Sequence, residues 1–123
     1  MSGDRIFVDT NILIYLLQGD PEISQLLDGK QLSVSFITEL ELLAYPGLTN
    51  KEVKSIRNLI ADCLVVGYNS DIRDHTVALK IANNLKLTDA IIAASSYHTQ
   101  LPLFTADKSF GKIKDLDIIL YEV

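Results

Sequence analysis

Cysteine and histidine are scarce in this chain, with one Cys and two His among 123 residues. A single thiol makes neither an internal disulfide nor a cysteine metal site, and zinc, which favours His and Cys ligands, has almost nothing to bind. Cys63 lies in the run Cys63-Leu64-Val65-Val66 and reads as part of a buried strand. His75 and His98 stand in helical surroundings without a partnered nucleophile, so packing or exposure is their expected fate. Basic residues are also in the minority, 11 Lys and Arg against 16 Asp and Glu, for a formal charge of −5. That balance argues against a generic nucleic-acid binder with a basic stripe. The argument weakens if acids are metal ligands, because bound divalent cations reverse the field near their site. No apolar run approaches the length that spans a bilayer, and no secretory leader pattern opens the chain, so a cytoplasmic protein without a membrane role is expected. A Gly-rich phosphate loop and a Gly-x-Ser-x-Gly elbow are missing, and Tyr15, Tyr45 and Tyr97 are too scattered for a base-stacking platform. Repeats, linkers and low-complexity tracts are absent as well.

What is present is an ordinary globular mixture, 48% hydrophobic and 22% charged, enough for one domain over residues 1–123 with a real core. Arg5 to Val8 is a short apolar run that delivers Asp9 to a strand-to-helix turn, followed by a helical pattern of Ile12, Leu13, Tyr15 and Leu16. Gly19-Asp20-Pro21-Glu22 turns into a second helix with Ile23, Leu26 and Leu27 on one face, ending near Gly29. Leu32 to Phe36 alternates as strand two, Thr38 starts a third helix, and Tyr45-Pro46-Gly47 breaks it. A helix from about Lys51 to Asp62 precedes strand three, Cys63 to Tyr68. The next helix carries Ile72, Val77, Leu79 and Ile81 as its apolar set and ends near Asn83-Asn84. Thr88 then caps a deeply buried helix rich in Ala and Ile, before strand four at Leu101–Thr105, a short helix at Asp107–Lys112 and a last strand at Asp117–Leu120. Alternating short strands and helices predict a three-layer α/β/α sandwich around a mostly parallel sheet of about five strands.

Four acids recur at element ends: Asp9, Glu41, Asp89 and Asp107. Each has a structural role open to it. Asp9 and Asp107 can cap the helices they precede, Thr38 and Glu41 have the spacing of a capping box, and Asp89 gains from a helix dipole. The joint pattern points further. Ligands of open α/β sheets bind beyond the carboxyl ends of the strands, and carboxylates gathered there repel one another unless a cation neutralises them. The ligand inventory selects a hard cation, Mg²⁺ or Mn²⁺.

These stretches also resemble a known family. Val8-Asp9-Thr10-Asn11, Ser35-Phe36-Ile37-Thr38 with Glu41-Leu42, Leu87-Thr88-Asp89-Ala90-Ile91-Ile92-Ala93-Ala94, and Leu103-Phe104-Thr105-Ala106-Asp107 with Phe110 stand in the order seen in PIN domains, including the VapC-like toxin ribonucleases. The resemblance covers nearly the whole chain. It implies that Asp9, Glu41, Asp89 and Asp107 are the family's acidic quartet and metal ligands, with Asn11 and Thr105 as polar neighbours. It further implies a metal-dependent endonuclease acting on RNA, a small cognate antitoxin protein as partner, and a homodimer. Where the family often shows a glycine soon after the helical glutamate, this chain carries Ala44-Tyr45-Pro46-Gly47, which changes the rim facing the antitoxin or the substrate. Glu39 competes with Glu41 for the site, but residues two apart on a helix point to different faces, and Glu41 is the expected one. Phosphate contacts are expected from Lys108, Lys112 and Lys114, while Lys51, Lys54 and Arg57, which share one helix face, read more readily as a solvated surface.

Two other readings compete. A catalytically silent PIN-like binding module would keep the fold without needing the quartet. A receiver-type Mg²⁺-binding signalling domain wants an acidic pair after strand one and a phosphoacceptor Asp after strand three, whereas here Asp9 stands alone and strand three runs into Gly67-Tyr68-Asn69.

Overall fold

The computed structural model describes residues 4–122. Five strands form one sheet: β1 (Arg5–Val8), β2 (Gln31–Ser35), β3 (Leu64–Val66), β4 (Leu103–Thr105) and β5 (Ile118–Leu120). Their order is β3-β2-β1-β4-β5 and every pairing is parallel. The chain therefore steps outward from β1 in one direction to β3, then returns to lay β4 on the other side of β1. That reversal makes the β1/β4 boundary a topological switch point, where the loops beyond the strands diverge and leave a crevice.

Six helices cover the sheet: α1 (Thr10–Leu17), α2 (Pro21–Leu27), α3 (Phe36–Leu43), α4 (Asn50–Ala61), α5 (Ser70–Asn83) and α6 (Leu87–Thr99). Alternation along β1 decides which face each core residue serves. Ile6 and Val8 join Ile12, Leu13, Ile23, Leu42, Ile56 and Ile60 under α1 to α4. Phe7 turns to the opposite face and packs with Leu85, Ala90, Ala93, Leu103 and Phe110. The second face is built from small residues where it must be thin: Ser33 and Ser35 on β2, and Ala90, Ala93 and Ala94 on α6, are all buried. Small side chains let α6 approach the sheet closely, and this brings the α6 N-terminus to the carboxyl ends of the strands. The result is the expected three-layer α/β/α sandwich, with a sheet that is wholly parallel.

Several local expectations are corrected. Helix α3 begins at Phe36, because Ser35 Oγ accepts from the Ile37 N–H at 3.2 Å and caps it, so Thr38 and Glu41 lie inside the helix and form no capping box. Thr88 is not a cap either. Asn84 closes α5 with a left-handed φ of 52°, Leu85 dives into the core, and α6 starts directly after Lys86, which makes no side-chain cap bond. Strand β3 is shorter than expected. Cys63 precedes it, half-buried, with its Sγ donating to the Leu59 carbonyl at 3.3 Å, and burial pushes its thiol up to about 11. Leu101 and Pro102 stand before β4 instead of within it, although the Pro102 carbonyl accepts from Phe7 N–H. Leu26 is 45% exposed, and on α5 Ile72 is buried as expected, but Val77 and Ile81 point outward at 53% and 79% and Thr76 is buried in their place. The apolar pattern of α5 runs round more than one face, so packing against α6 decides which face is covered.

Candidate active site

Asp9 follows β1 directly and is only 4% exposed. It stands in the N-cap position of α1, yet its side chain does little capping. Oδ1 accepts from the adjacent Thr10 N–H at 2.8 Å, where an ordinary cap would reach the second or third helical residue. Oδ2 is turned across the switch point and accepts from Thr105 Oγ1 at 2.7 Å. The Asp107 N–H in turn donates to Thr105 Oγ1 at 3.0 Å. Thr105 thus links the acid after β1 to the acid after β4, and the link exists because β1 and β4 pair in register up to Val8 and Phe104. Burial pushes the Asp9 carboxyl from 3.8 up to about 6, with the charges of Asp89 and Asp107 acting in the same direction against the hydrogen bonds from Thr105 and Thr10. A buried carboxylate among like charges is the kind of perturbed group that marks a functional site.

Glu41 reaches the same crevice from α3. Thr10 Oγ1 donates to Glu41 Oε1 at 2.7 Å, and Thr10 Oγ1 and Thr38 Oγ1 lie 2.9 Å apart in a hydrogen bond. Glu39 sits on another side of the helix and makes no such contact. Asp89 stands third in α6 and is half-buried. Its carboxyl is raised by burial first, then by Asp107, with a smaller push from Glu41, while Lys86 beside it acts to lower it. The two sets of charge effects tie Asp9, Asp107, Asp89 and Glu41 into one electrostatic neighbourhood. Asp107 also caps the short 3-10 helix Lys108–Lys112, its Oδ1 accepting from Ser109 N–H at 2.9 Å. Asn11 and Lys108 are exposed beside Asp9 and Asp107 in sequence. Lys51 borders a largely apolar groove between α1, α3 and α4 whose lining includes none of these acids.

Two residues of this network, Thr10 and Thr38, were not singled out by sequence reasoning. The signal for Thr38 was there, three residues before Glu41 and hence on the same helix face, but that spacing reads equally as a capping box. Among the described residues no three His, Cys, Asp or Glu side chains converge as a closed metal cage. A hard cation does not require one, since Mg²⁺ keeps several waters and binds through one or two carboxylates. The donor set is carboxylate and hydroxyl oxygen without thiol or imidazole, which fits Mg²⁺ or Mn²⁺ and not zinc.

The arrangement is that of a carboxylate-lined crevice at the switch point of an open parallel sheet. The PIN domain profile matches residues 6–116. No curated protein sequence matches the chain. Among solved structures, a toxin–antitoxin complex from Klebsiella pneumoniae is similar with a TM-score of 0.84 and 30% identity, covering 96% of this chain and 99% of that one. VapBC-1 from nontypeable Haemophilus influenzae is similar with a TM-score of 0.78 and 28% identity, covering 94% and 97%. DNA-bound VapBC from Salmonella typhimurium, at 18% identity, shares the fold with a TM-score of 0.77 over 94% and 96% of the two chains. The chain belongs to the PIN-domain family, with the VapC-like toxins as its counterparts in those assemblies.

Proposed function

We propose that the chain, as one PIN nuclease domain over residues 1–123, is a Mg²⁺- or Mn²⁺-dependent endoribonuclease of the cytoplasm and the toxin of a toxin–antitoxin pair. The observation that carries this reading is the burial of Asp9 at the switch point under the charge of Asp89 and Asp107. Such a grouping is unfavourable in a protein that never neutralises it, and a divalent cation is the simplest neutraliser. When bound, the cation supplies an activated water and polarises the phosphate. The chain's own residues do the rest. Asp9, Asp107, Asp89 and Glu41 offer the carboxylate ligands. Thr105 fixes Asp9 through its hydroxyl and Asp107 through the backbone N–H it accepts. Asn11 and Lys108 are exposed and follow Asp9 and Asp107 closely in the chain, which supports a role for them in contacting the scissile phosphate.

Incubation of the purified protein with a mixed, labelled single-stranded RNA pool tests the reading. Fragments should form with Mg²⁺ or Mn²⁺ and disappear with EDTA. Absence of cutting together with a metal-induced rise in thermal midpoint would replace the nuclease reading with a metal-binding module. Absence of both would leave the four acids with structural roles alone.

Two apolar surfaces support the partner assignments. A groove of about 270 Å³ lined by Ile14, Leu17, Leu42, Tyr45, Leu48 and Ile56 is an apolar seat for a short helical or extended antitoxin segment. Val77 and Ile81, one turn apart on α5 and 53% and 79% exposed, suit a contact with a second copy of the chain. Light scattering of the wild type should give about twice the 13.7 kDa chain mass. Ile81→Lys should move it towards the monomer with little loss of thermal stability, since the side chain is already in solvent. An Ile81→Lys variant with unchanged mass would move the interface elsewhere.

A further inference from the structure

The geometry points to Thr10, backed by Thr38, as the positioning residue that aims Glu41 into the carboxylate crevice. This inference rests on the metal-dependent reading above and assigns work to two hydroxyls that reading leaves unused. A threonine hydroxyl carries one proton. Thr10 donates its proton to Glu41 Oε1 at 2.7 Å, so in its 2.9 Å contact with Thr38 it can only accept. The direction of the chain is therefore set: Thr38 donates to Thr10, and Thr10 donates to Glu41. The Thr10 backbone N–H meanwhile donates to Asp9 Oδ1. One residue thus holds two acids of the site, one by its main chain and one by its side chain. It also joins elements far apart in sequence, because Thr10 opens α1 while Thr38 and Glu41 belong to α3.

Burial strengthens the case. Thr10 is 7% exposed and Thr38 is fully buried, and a buried hydroxyl is unfavourable unless it is bonded. Valine has the same shape, and replacing both members of a buried hydrogen-bonded pair by apolar groups of that shape can be nearly neutral for stability. Packing alone would be served as well by two valines. What valines do not supply is a donor for Glu41, which sits in the middle of α3 and has no other hydrogen-bond partner among the described residues. Without the donor its side chain is free to leave the crevice for solvent.

The test compares wild type, Thr10→Val, Thr10→Ser, the double variant Thr10→Val/Thr38→Val, Glu41→Gln, and Thr10→Val/Glu41→Gln, as full-length protein. Mn²⁺ affinity is read by calorimetry and by the Mn²⁺-induced shift in thermal midpoint, with cleavage of the labelled RNA pool in parallel. Both valine variants should fold, the double variant with a metal-free midpoint near wild type and Thr10→Val with a lower one, since it alone leaves the buried Thr38 hydroxyl without its acceptor. Both should bind Mn²⁺ about 10-fold more weakly, as loss of a supporting partner to a ligand does. Thr10→Ser should return affinity to within about threefold, since it keeps the donor. Thr10→Val added to Glu41→Gln should weaken binding little further, because the two act through one interaction. A Thr10→Val protein with wild-type Mn²⁺ affinity, beside a weakened Glu41→Gln, overturns the positioning role while leaving the metal site standing. Full additivity of Thr10→Val and Glu41→Gln overturns it as well. A wild type with no Mn²⁺ response at all removes the metal-dependent reading, and the positioning role with it.

Discussion

Asp9→Asn should abolish RNA cleavage and, in the absence of metal, make the protein more stable. The two effects have one cause. Asp9 is 4% exposed, and its carboxyl is pushed from 3.8 up to about 6 by burial and by Asp89 and Asp107. At neutral pH it is ionised all the same, so the fold carries the free energy of holding that charge. A shift of this size corresponds to about 3 kcal/mol at roughly 1.4 kcal/mol per pKa unit, and the isosteric amide removes it while filling the same space. The asparagine carbonyl can still accept from the Thr10 N–H. Its NH₂ then meets Thr105 Oγ1, which must turn its own proton elsewhere, so the net gain should be smaller, on the order of 1–2 kcal/mol. The amide is also a poor ligand for a hard cation, so Mn²⁺ should no longer raise the midpoint. Denaturant unfolding in EDTA, Mn²⁺-dependent melting and the RNA assay on the same preparation check all three. A variant that cuts like wild type would remove Asp9 from the chemistry, and one that unfolds more easily than wild type would show that its charge stabilises the native state.

Stability of the metal-free wild type should fall as pH rises from about 4 to about 6.5. Asp9 binds its proton more tightly in the folded chain, at about 6, than at its ordinary 3.8. Its contribution is therefore fully present below pH 3.8 and is lost as pH rises through about 6. Asp89 is raised as well, so it adds to the same slope. The loss at Asp9 is up to about 3 kcal/mol, on the order of 10 °C in thermal midpoint for a domain of this size. Mn²⁺ should reverse the trend, because protons and the cation compete for the same carboxylates and the metal-induced shift must grow with pH. Melting curves at pH 4.5, 6 and 7.5 with EDTA or Mn²⁺ make the comparison. A metal-free midpoint that is flat or rises across this interval would mean that Asp9 is solvated or paired in solution.

Much of the site is legible in the amino-acid order because acids placed where an apolar run stops have few places to go. Asp9, Asp89 and Asp107 each lie at such a boundary, and the structure puts each at the carboxyl end of the sheet or at a helix start facing it. Glu41 is less transparent. It lies in the interior of α3, and the spacing that suggested a capping box with Thr38 instead places both on the helix face that meets Thr10. The cap itself is Ser35, which also ends β2, a double role that local pattern does not disclose. Helix α5 shows the limit of periodicity: Ile72, Val77, Leu79 and Ile81 are all apolar, and only contact with α6 determines that Val77 and Ile81 remain outside.

The sequence by itself determined the class of fold, the buried central strands, the helix breaks at Pro46 and Asn84, and the carboxylate character of the donor set, since these follow from composition and from interactions within a few residues, whereas the edge strands β3 and β5 stay largely exposed. Tertiary structure alone decided that β1 lies in the middle of the sheet with β4 beside it, that Thr105 clasps Asp9 across that boundary, and that Thr10, Thr38 and Glu41 form one directed hydrogen-bond chain. Those contacts join residues 28 to 96 positions apart, and no local preference encodes them. They arise because burying both faces of a parallel sheet fixes the strand order, and the strand order then dictates which hydroxyl meets which carboxylate.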